Sequence, residues 1–235
     1  MLFSDLLTFF FPRACPGCGH RLAREEGYVC PKCMAILPLE QDYDWRGNSR
    51  VLQWLEHEAV VRAGAFAHYE RDNVAAQIIH ALKYGRHHEL GSWMGRWAAQ
   101  TLLPTGLFEE VDALVPIPLT RSRQHWRGFN QAEKIADGMA EVLGLEVRTD
   151  VLRRVADRES QTHFPIAHRR RDMSDVFALQ APTDVEGRHL MLVDDVMTTG
   201  TTMLGAIQTL ERVSGIRLSA FAWAWTYQPP HRPSE

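Results

Sequence analysis

Asp194 and Asp195 are adjacent acids, preceded by four apolar residues (Leu190 to Val193) and followed by Thr198, Thr199, Gly200, Thr201 and Thr202. Paired carboxylates suit the hydroxyls of a ribose or a hydrated magnesium ion. A hydroxyl-rich glycine loop that opens a helix suits a phosphate, because loop N–H groups and the helix N-terminus aim donors at one anion. A second group follows another apolar segment: Arg121, Arg123 and Arg127 cluster beside Gly128. Guanidinium groups so placed suit a pyrophosphate through bidentate contacts. The third group is Cys15, Cys18, Cys30 and Cys33, two Cys-x-x-Cys pairs separated by eleven residues. Each pair offers two thiolates to one tetrahedral ion, as a structural zinc site requires.

Each group also has a plainer reading. Acids commonly end strands and cap helices, charge runs are usually solvated, and four cysteines can close two disulfides. The phosphate reading gains from the combination of strand, acids, loop and helix. No lysine follows Gly200 as in a triphosphate loop, and the glycine spacing of a dinucleotide fingerprint is missing. For the cysteines, a cytosolic setting keeps thiols reduced and favours zinc, with rubredoxin-like iron as the other ion. His20 lies two residues past Cys18, but four thiolates already complete the shell, so it is expected at the surface.

These groups need elements to position them. The continuous apolar run of residues 190–193 has the character of a buried, parallel-type strand. Further strands are expected over Val60–Tyr69 (as a strand pair or irregular strand), 111–118 and 216–227, with short ones at 151–153 and 176–179. Helical spacing of Val74, Ala75, Ile78, Ile79 and Leu82 ends at Gly85, and a second helix should run from Leu90 to Leu103. Asn130 and Glu133 look like a capping box, with Gly144 as the stop. Met203, Ala206, Ile207, Leu210 and Val213 form the stripe of a last helix closed by Gly215. Alternating strands and helices predict an α/β fold with a mostly parallel sheet, whose ligands sit at the carboxyl ends of strands.

The 235 residues allow a main domain and a small module. The expected division is a cysteine module at 1–40, a linker at 41–60, an α/β domain at 61–228 and a tail at 229–235. A net charge of −3 gives no global pull toward nucleic acid, so any such binding needs a local patch. One candidate is the basic stretch of Arg153, Arg154, Arg158, Ser160, Gln161, His163, His168, Arg169, Arg170 and Arg171. It lacks apolar periodicity and suits a hood closing over a charged ligand, a patch for single-stranded DNA, or a solvated loop. Aromatic residues are sparse there, with Phe164 the one ring before Phe177. The apolar opening of the chain carries Asp5 and lacks a basic start, so it is expected to dock on the protein's own body without membrane insertion. A cytoplasmic location follows as the expectation.

Residues 190–202 resemble the ribose-phosphate motif of the type I phosphoribosyltransferases. Over nearly the full chain, the arrangement resembles the ComF family, the competence-type phosphoribosyltransferase-like proteins. The resemblance is carried by the four cysteines, Ile79-His-Ala-Leu-Lys-Tyr-Gly85, Val115-Pro-Ile-Pro-Leu119, Arg127-Gly-Phe-Asn-Gln-Ala132 and Leu192-Val-Asp-Asp-Val-Met-Thr-Thr-Gly-Thr-Thr202. Where many relatives have an asparagine before the 176–179 strand, this chain has Asp172.

The resemblance implies a type I phosphoribosyltransferase-like parallel sheet flanked by helices, a hood, and a small N-terminal zinc-ribbon-like module. It implies phosphoribosyl pyrophosphate and magnesium as ligands, and an association with DNA uptake and natural transformation beside a helicase-like partner. On that basis Asp194 and Asp195 are the catalytic candidates, meeting the ribose hydroxyls and the magnesium shell. Thr198, Thr199, Gly200, Thr201 and Thr202 hold the 5-phosphate, while Arg121 and Arg123 meet the pyrophosphate. The chemistry would be displacement of pyrophosphate from the anomeric carbon, although no acceptor-binding base is identifiable. Two other functions stay open: a non-catalytic module of the competence machinery that binds single-stranded DNA or a partner, and a ligand-sensing regulator. No helix-turn-helix pattern supports the regulator.

Overall fold

The computed structural model describes residues 13–23, 25–41, 54, 56–85, 87–155, 176–180 and 183–226. The expected N-terminal docking segment, most of the linker, the hood residues Arg158 to Asp172 and the C-terminal tail lie outside the described residues. Five strands form one parallel sheet: β1 (Val60–Tyr69), β2 (Ala113–Pro116), β3 (Glu146–Val147), β6 (His189–Met197) and β7 (Arg217–Thr226). Their spatial order is β1-β7-β6-β2-β3, with every pairing parallel. Two short strands, β4 (Leu152–Arg154) and β5 (Phe177–Leu179), pair antiparallel as a separate ribbon.

Six helices are present among the described residues. A short α1 (Pro31–Ala35) belongs to the cysteine element. α2 (Val74–Tyr84), α3 (His88–Leu102) and α5 (Gln131–Leu143) cover one face of the sheet, and α6 (Thr201–Leu210) covers the other. α4 (Arg121–Arg127) lies between β2 and α5 and buries none of its residues. Each face carries its own apolar layer. Met191, Val193, Phe221 and Trp223 point into the first, and Leu190, Leu192, Leu218 and Ala220 into the second. That division follows from the two-residue period of a strand. It also explains why the central strands carry unbroken apolar runs, since both faces are covered.

Several boundaries differ from the sequence expectation for physical reasons. Val60–Tyr69 is one strand, paired to β7 with a register shift between Val60 and Arg62. β6 continues past the acids to Met197, because Val196 and Met197 keep their pairing with Ala224 and Trp225. The last helix ends at Leu210, and Gly215 (φ 69°) turns the chain into β7 instead of stopping the helix itself. The Asn130 side chain accepts from the N–H of Ala132, so the reciprocal box with Glu133 does not form. Glu133 lies 3.6 Å from the Lys134 ammonium.

The crossing of α3 and α5 is set by glycines. A Cβ on Gly95 would collide with the Ile135 carbonyl oxygen, and one on Gly138 with the Ser92 carbonyl. Helix propensity alone would make Gly95→Ala stabilising by about 1 kcal/mol. Here the obstacle is backbone, so the helices must move apart, at a cost of about 2–3 kcal/mol. The clash wins. Gly95→Ala should lower the thermal midpoint by about 5 °C, and an unchanged or raised midpoint in calorimetry would refute this packing.

Candidate functional site

The connections leaving β2 and β6 diverge. From β2 the chain runs through α4 and α5 to β3 on one side, and from β6 it runs through α6 to β7 on the other. Adjacent strands whose connections part in this way open a crevice at their carboxyl ends, the usual ligand position in such sheets. Pro116 pairs with Val193, and the Ile117 N–H donates to the Val193 carbonyl at 2.8 Å. The β2 exit is thus held beside the acidic pair. Buried Asn130 donates from its side chain to the Ile117 carbonyl at 3.0 Å while capping α5, which pins the start of that helix to the same edge.

Asp194 and Asp195 stand in β6 and therefore project to opposite faces of the sheet. Asp194 Oδ1 accepts from the Asp195 N–H at 2.8 Å, and Asp195 Oδ1 accepts from the Val196 N–H at 2.7 Å. The Lys83 ammonium lies 3.1 Å from Asp195 Oδ2, an ion pair whose angles do not make a hydrogen bond. Burial, reinforced by the neighbouring Asp195 charge, pushes the Asp194 carboxyl up to about 7. The Asp195 N–H, Lys83 and Arg154 act in the opposite sense. An acid with a raised proton affinity beside a second carboxylate is an arrangement concentrated at functional sites.

Beyond Met197 the chain turns at Gly200, which has φ 75° and serves as the N-cap of α6. Thr198 and Thr199 are exposed, and Thr201 and Thr202 form the first turn of the helix, where the sequence had suggested loop. The first cap-closing bond is Leu204 N–H to the Gly200 carbonyl, at 2.9 Å. The N–H groups ahead of it lack intrahelical acceptors and face an anion if one arrives. Thr199 and Thr201 hydroxyls meet at 2.7 Å, and Thr226 at the end of β7 donates to the Thr198 carbonyl at 3.2 Å. The loop is therefore tied to the neighbouring strand.

The segment of Arg121, Arg123 and Arg127, for which no element was expected from the sequence, is helical. Thr120 caps it by accepting from the Arg123 N–H at 3.4 Å, and Gly128 (φ 83°) closes it. Periodicity gave no sign of this helix because it has no apolar stripe. The flanking Thr120 and Gly128 were the readable signal. Arg121 opens α4 four residues beyond Ile117, hence near the crevice. Arg127 instead donates to Gln131 Oε1 at 2.8 Å and walls a cleft with Trp126 and Phe129. Lys83 is the residue to which sequence reasoning gave no role. It sits in the Ile79–Gly85 motif as the one lysine or arginine on a helix without acids, and that contrast was the available sign.

Cys15, Cys18, Cys30 and Cys33 are brought together, their sulfurs all within 4.8 Å of one another, with Cys18 and Cys30 at 3.7 Å. None is in a disulfide. Sulfurs around a tetrahedral ion at about 2.3 Å are separated by about 3.8 Å, so this set can hold a metal ion. The Cys15 N–H donates to the His20 carbonyl and the Cys30 N–H to Cys15 Sγ at 3.4 Å, which folds the knuckles toward each other. His20 is exposed, as expected. Burial raises the Cys33 and Cys15 thiols, whereas the Cys33 N–H lowers Cys30. Cys15, Cys30 and Cys33 are buried and Cys18 is exposed, and thiolates crowded so closely need a cation among them.

This element is not isolated from the sheet. Leu39 forms a bridge to Ala67 of β1, and buried Glu40 accepts from the Trp225 indole at 2.7 Å. Cys15, Cys30 and Cys33 share an apolar layer with Phe66, Ile78 and Trp223. No helix among the described residues is long and apolar enough to cross a membrane.

Comparison with known proteins gives a family match, "Phosphoribosyl transferase domain", over residues 126–222. The chain is 36% identical over 140 residues to DNA utilization protein YhgH of Salmonella typhimurium, covering 57% of this chain and 60% of that one. It is 32% identical over 106 residues to Competence protein F of Haemophilus influenzae, covering 45% and 46%. With Competence protein ComFC of Bacillus subtilis it shares 24% identity over 217 residues, or 89% and 82% of the two chains. The match thus spans less than two thirds of the length of the first two relatives. The transferase-domain match and the likeness to these competence and DNA-utilization relatives support a similarity to the ComF-type phosphoribosyltransferase-like proteins.

Proposed function

We propose that this chain binds phosphoribosyl pyrophosphate with magnesium in the crevice between β2 and β6, and that it serves DNA uptake, the setting its relatives' names point to. The observation that carries the reading is the order of groups along that edge: two carboxylates, a left-handed glycine, then the open N-terminus of α6. The 5-phosphate takes the N–H groups of Thr201 and Thr202 and the hydroxyls of Thr198 and Thr199. The ribose hydroxyls take Asp194 and Asp195. Arg121 and Arg123 meet the pyrophosphate. Asp195 Oδ2, buried without a hydrogen bond, is the oxygen suited to the water shell of magnesium, which when bound neutralises charge on the pyrophosphate. Such placement favours displacement of pyrophosphate from the anomeric carbon, a step that depends chiefly on positioning and electrostatics.

The four thiolates hold structural zinc, a closed shell with no place for substrate. A cytoplasmic setting keeps such thiols reduced.

Titration calorimetry with phosphoribosyl pyrophosphate tests the reading. Binding should require magnesium, and it should tighten as pH rises through about 7, because the raised Asp194 carboxyl is ionised only above that range. Absence of binding at pH about 8 with magnesium present would overturn it. Pyrophosphate release with bases, amines and nucleic acid as acceptors then reports whether bound ligand turns over.

A further inference from the structure

Five large apolar side chains stand out as exposed among the described residues, and the two aromatic ones, Tyr84 (51%) and Trp126 (63%), touch each other. Their rings meet edge to face at 5.6 Å, and the His80 ring supports Tyr84 from behind at 4.5 Å. Two large rings held in contact yet left open to water form a surface that a flat partner would cover.

The surroundings specify the charge of that partner. α4 carries Arg121, Arg123, His125 and Arg127 and no acid. Arg127 Nε is buried without a hydrogen-bond partner, at the wall of a cleft of about 610 Å³ shared with His88, His125, Trp126, Phe129 and Lys134. Lys134 adds little, because Asp137 at 2.6 Å and Glu133 at 3.6 Å already engage its ammonium. A planar, anionic partner therefore fits better than an acidic peptide, which supplies the charge without the flat faces.

We propose that Tyr84 and Trp126 are a stacking platform for bases of single-stranded nucleic acid, with Arg127 meeting a backbone phosphate. Stacking on aromatic rings beside arginines is how proteins hold single strands without reading sequence. The platform borders the sugar-phosphate crevice, since Lys83, next to Tyr84, reaches Asp195. It lies on described residues outside the 156–175 stretch, and it does not depend on the reading of the phosphoribosyl pyrophosphate site.

Fluorescence anisotropy of the full chain with a labelled single strand of about 16 nucleotides tests it, alongside the same sequence as RNA and as duplex DNA. Single strands should bind more tightly than duplex, and the RNA arm identifies which polymer is preferred. Trp126→Ala and Tyr84→Ala should each weaken single-strand binding by about tenfold, with Trp126→Phe retaining most of it. Arg127→Gln should reduce the salt dependence by about one phosphate contact. Duplex binding as tight as single-strand binding, unchanged affinity in Trp126→Ala, or no binding at low salt would each overturn the proposal. Equal competition by a mononucleotide would also overturn it, by replacing the strand with a single-nucleotide site.

Discussion

Asp195→Asn should bind phosphoribosyl pyrophosphate with magnesium about a hundredfold more weakly than the native chain. Removing one charged partner from a buried, ligand-facing contact costs about 3 kcal/mol of affinity, which is that factor. Two effects on folding oppose each other in this variant. Lys83, whose side chain is only 17% exposed, loses its counter-charge. Asp194 simultaneously loses the like charge that helps to raise its proton affinity. Stability therefore moves less than binding does, and calorimetric affinity measured beside the thermal midpoint separates the two. An affinity within about threefold of native, at a native-like midpoint, would remove Asp195 from the site.

Lys83 sharpens the same test. Its ammonium favours the ionised form of Asp194 and lies against Asp195. Replacing it by methionine raises the Asp194 carboxyl further, so the pH at which ligand binding tightens should move upward. A residue that merely packed α2 against the sheet would leave that midpoint in place. On the proposed function, the lysine acts by keeping the acid pair ionised for magnesium and the ribose hydroxyls, and the pH profile reads that role directly.

What was legible in the chain, and what was not, follows from how each feature is encoded. The core strands and the α2, α3, α5 and α6 helices announce themselves because apolar residues recur at the period of the element that buries them. The four cysteines were legible because ligand spacing is local. The acids and Thr198 to Thr202 were legible because strand, turn and helix start follow each other directly in sequence. α4 was not, since a helix that buries nothing leaves no hydrophobic period, only its caps. Lys83 and Asn130 were not assigned their contacts because these join positions brought together by sheet order alone: Lys83 to Asp195, and Asn130 to Ile117. Strand order β1-β7-β6-β2-β3 is a non-local property. Neither spacing nor composition states that β2 lies beside β6, yet that adjacency creates the crevice.

Sheet order also determines what the cysteine element does for the rest of the molecule. β1 is an edge strand, and an uncovered edge is a liability. The element lays Leu39 against Ala67 and extends the Phe66 carbonyl to the Glu40 N–H at 2.9 Å, covering part of that edge. Buried Glu40 then holds the Trp225 indole, and Thr226 next to it holds the Thr198 carbonyl of the proposed phosphate loop. On the other side, a Cβ on Gly17 would lie 3.1 Å from Val74 at the start of α2, the helix that delivers Lys83. Cys33→Ser, with loss of the proposed zinc, should therefore unfold more than the knuckles. Structural zinc contributes folding energy outright, and a loss of about 5 kcal/mol lowers the midpoint of a chain of this size by about 10–20 °C. Because the thiols share the apolar layer of Phe66 and Trp223, the whole α/β domain should melt with them in one transition, followed by calorimetry and by circular dichroism of the helices. Affinity for phosphoribosyl pyrophosphate should fall in the same variant at temperatures where it is still folded, since both routes to the phosphate loop and Lys83 start at the cysteines. A separate low-temperature transition for the element, with the domain's midpoint and ligand affinity unchanged, would make the cysteine element an independent module instead.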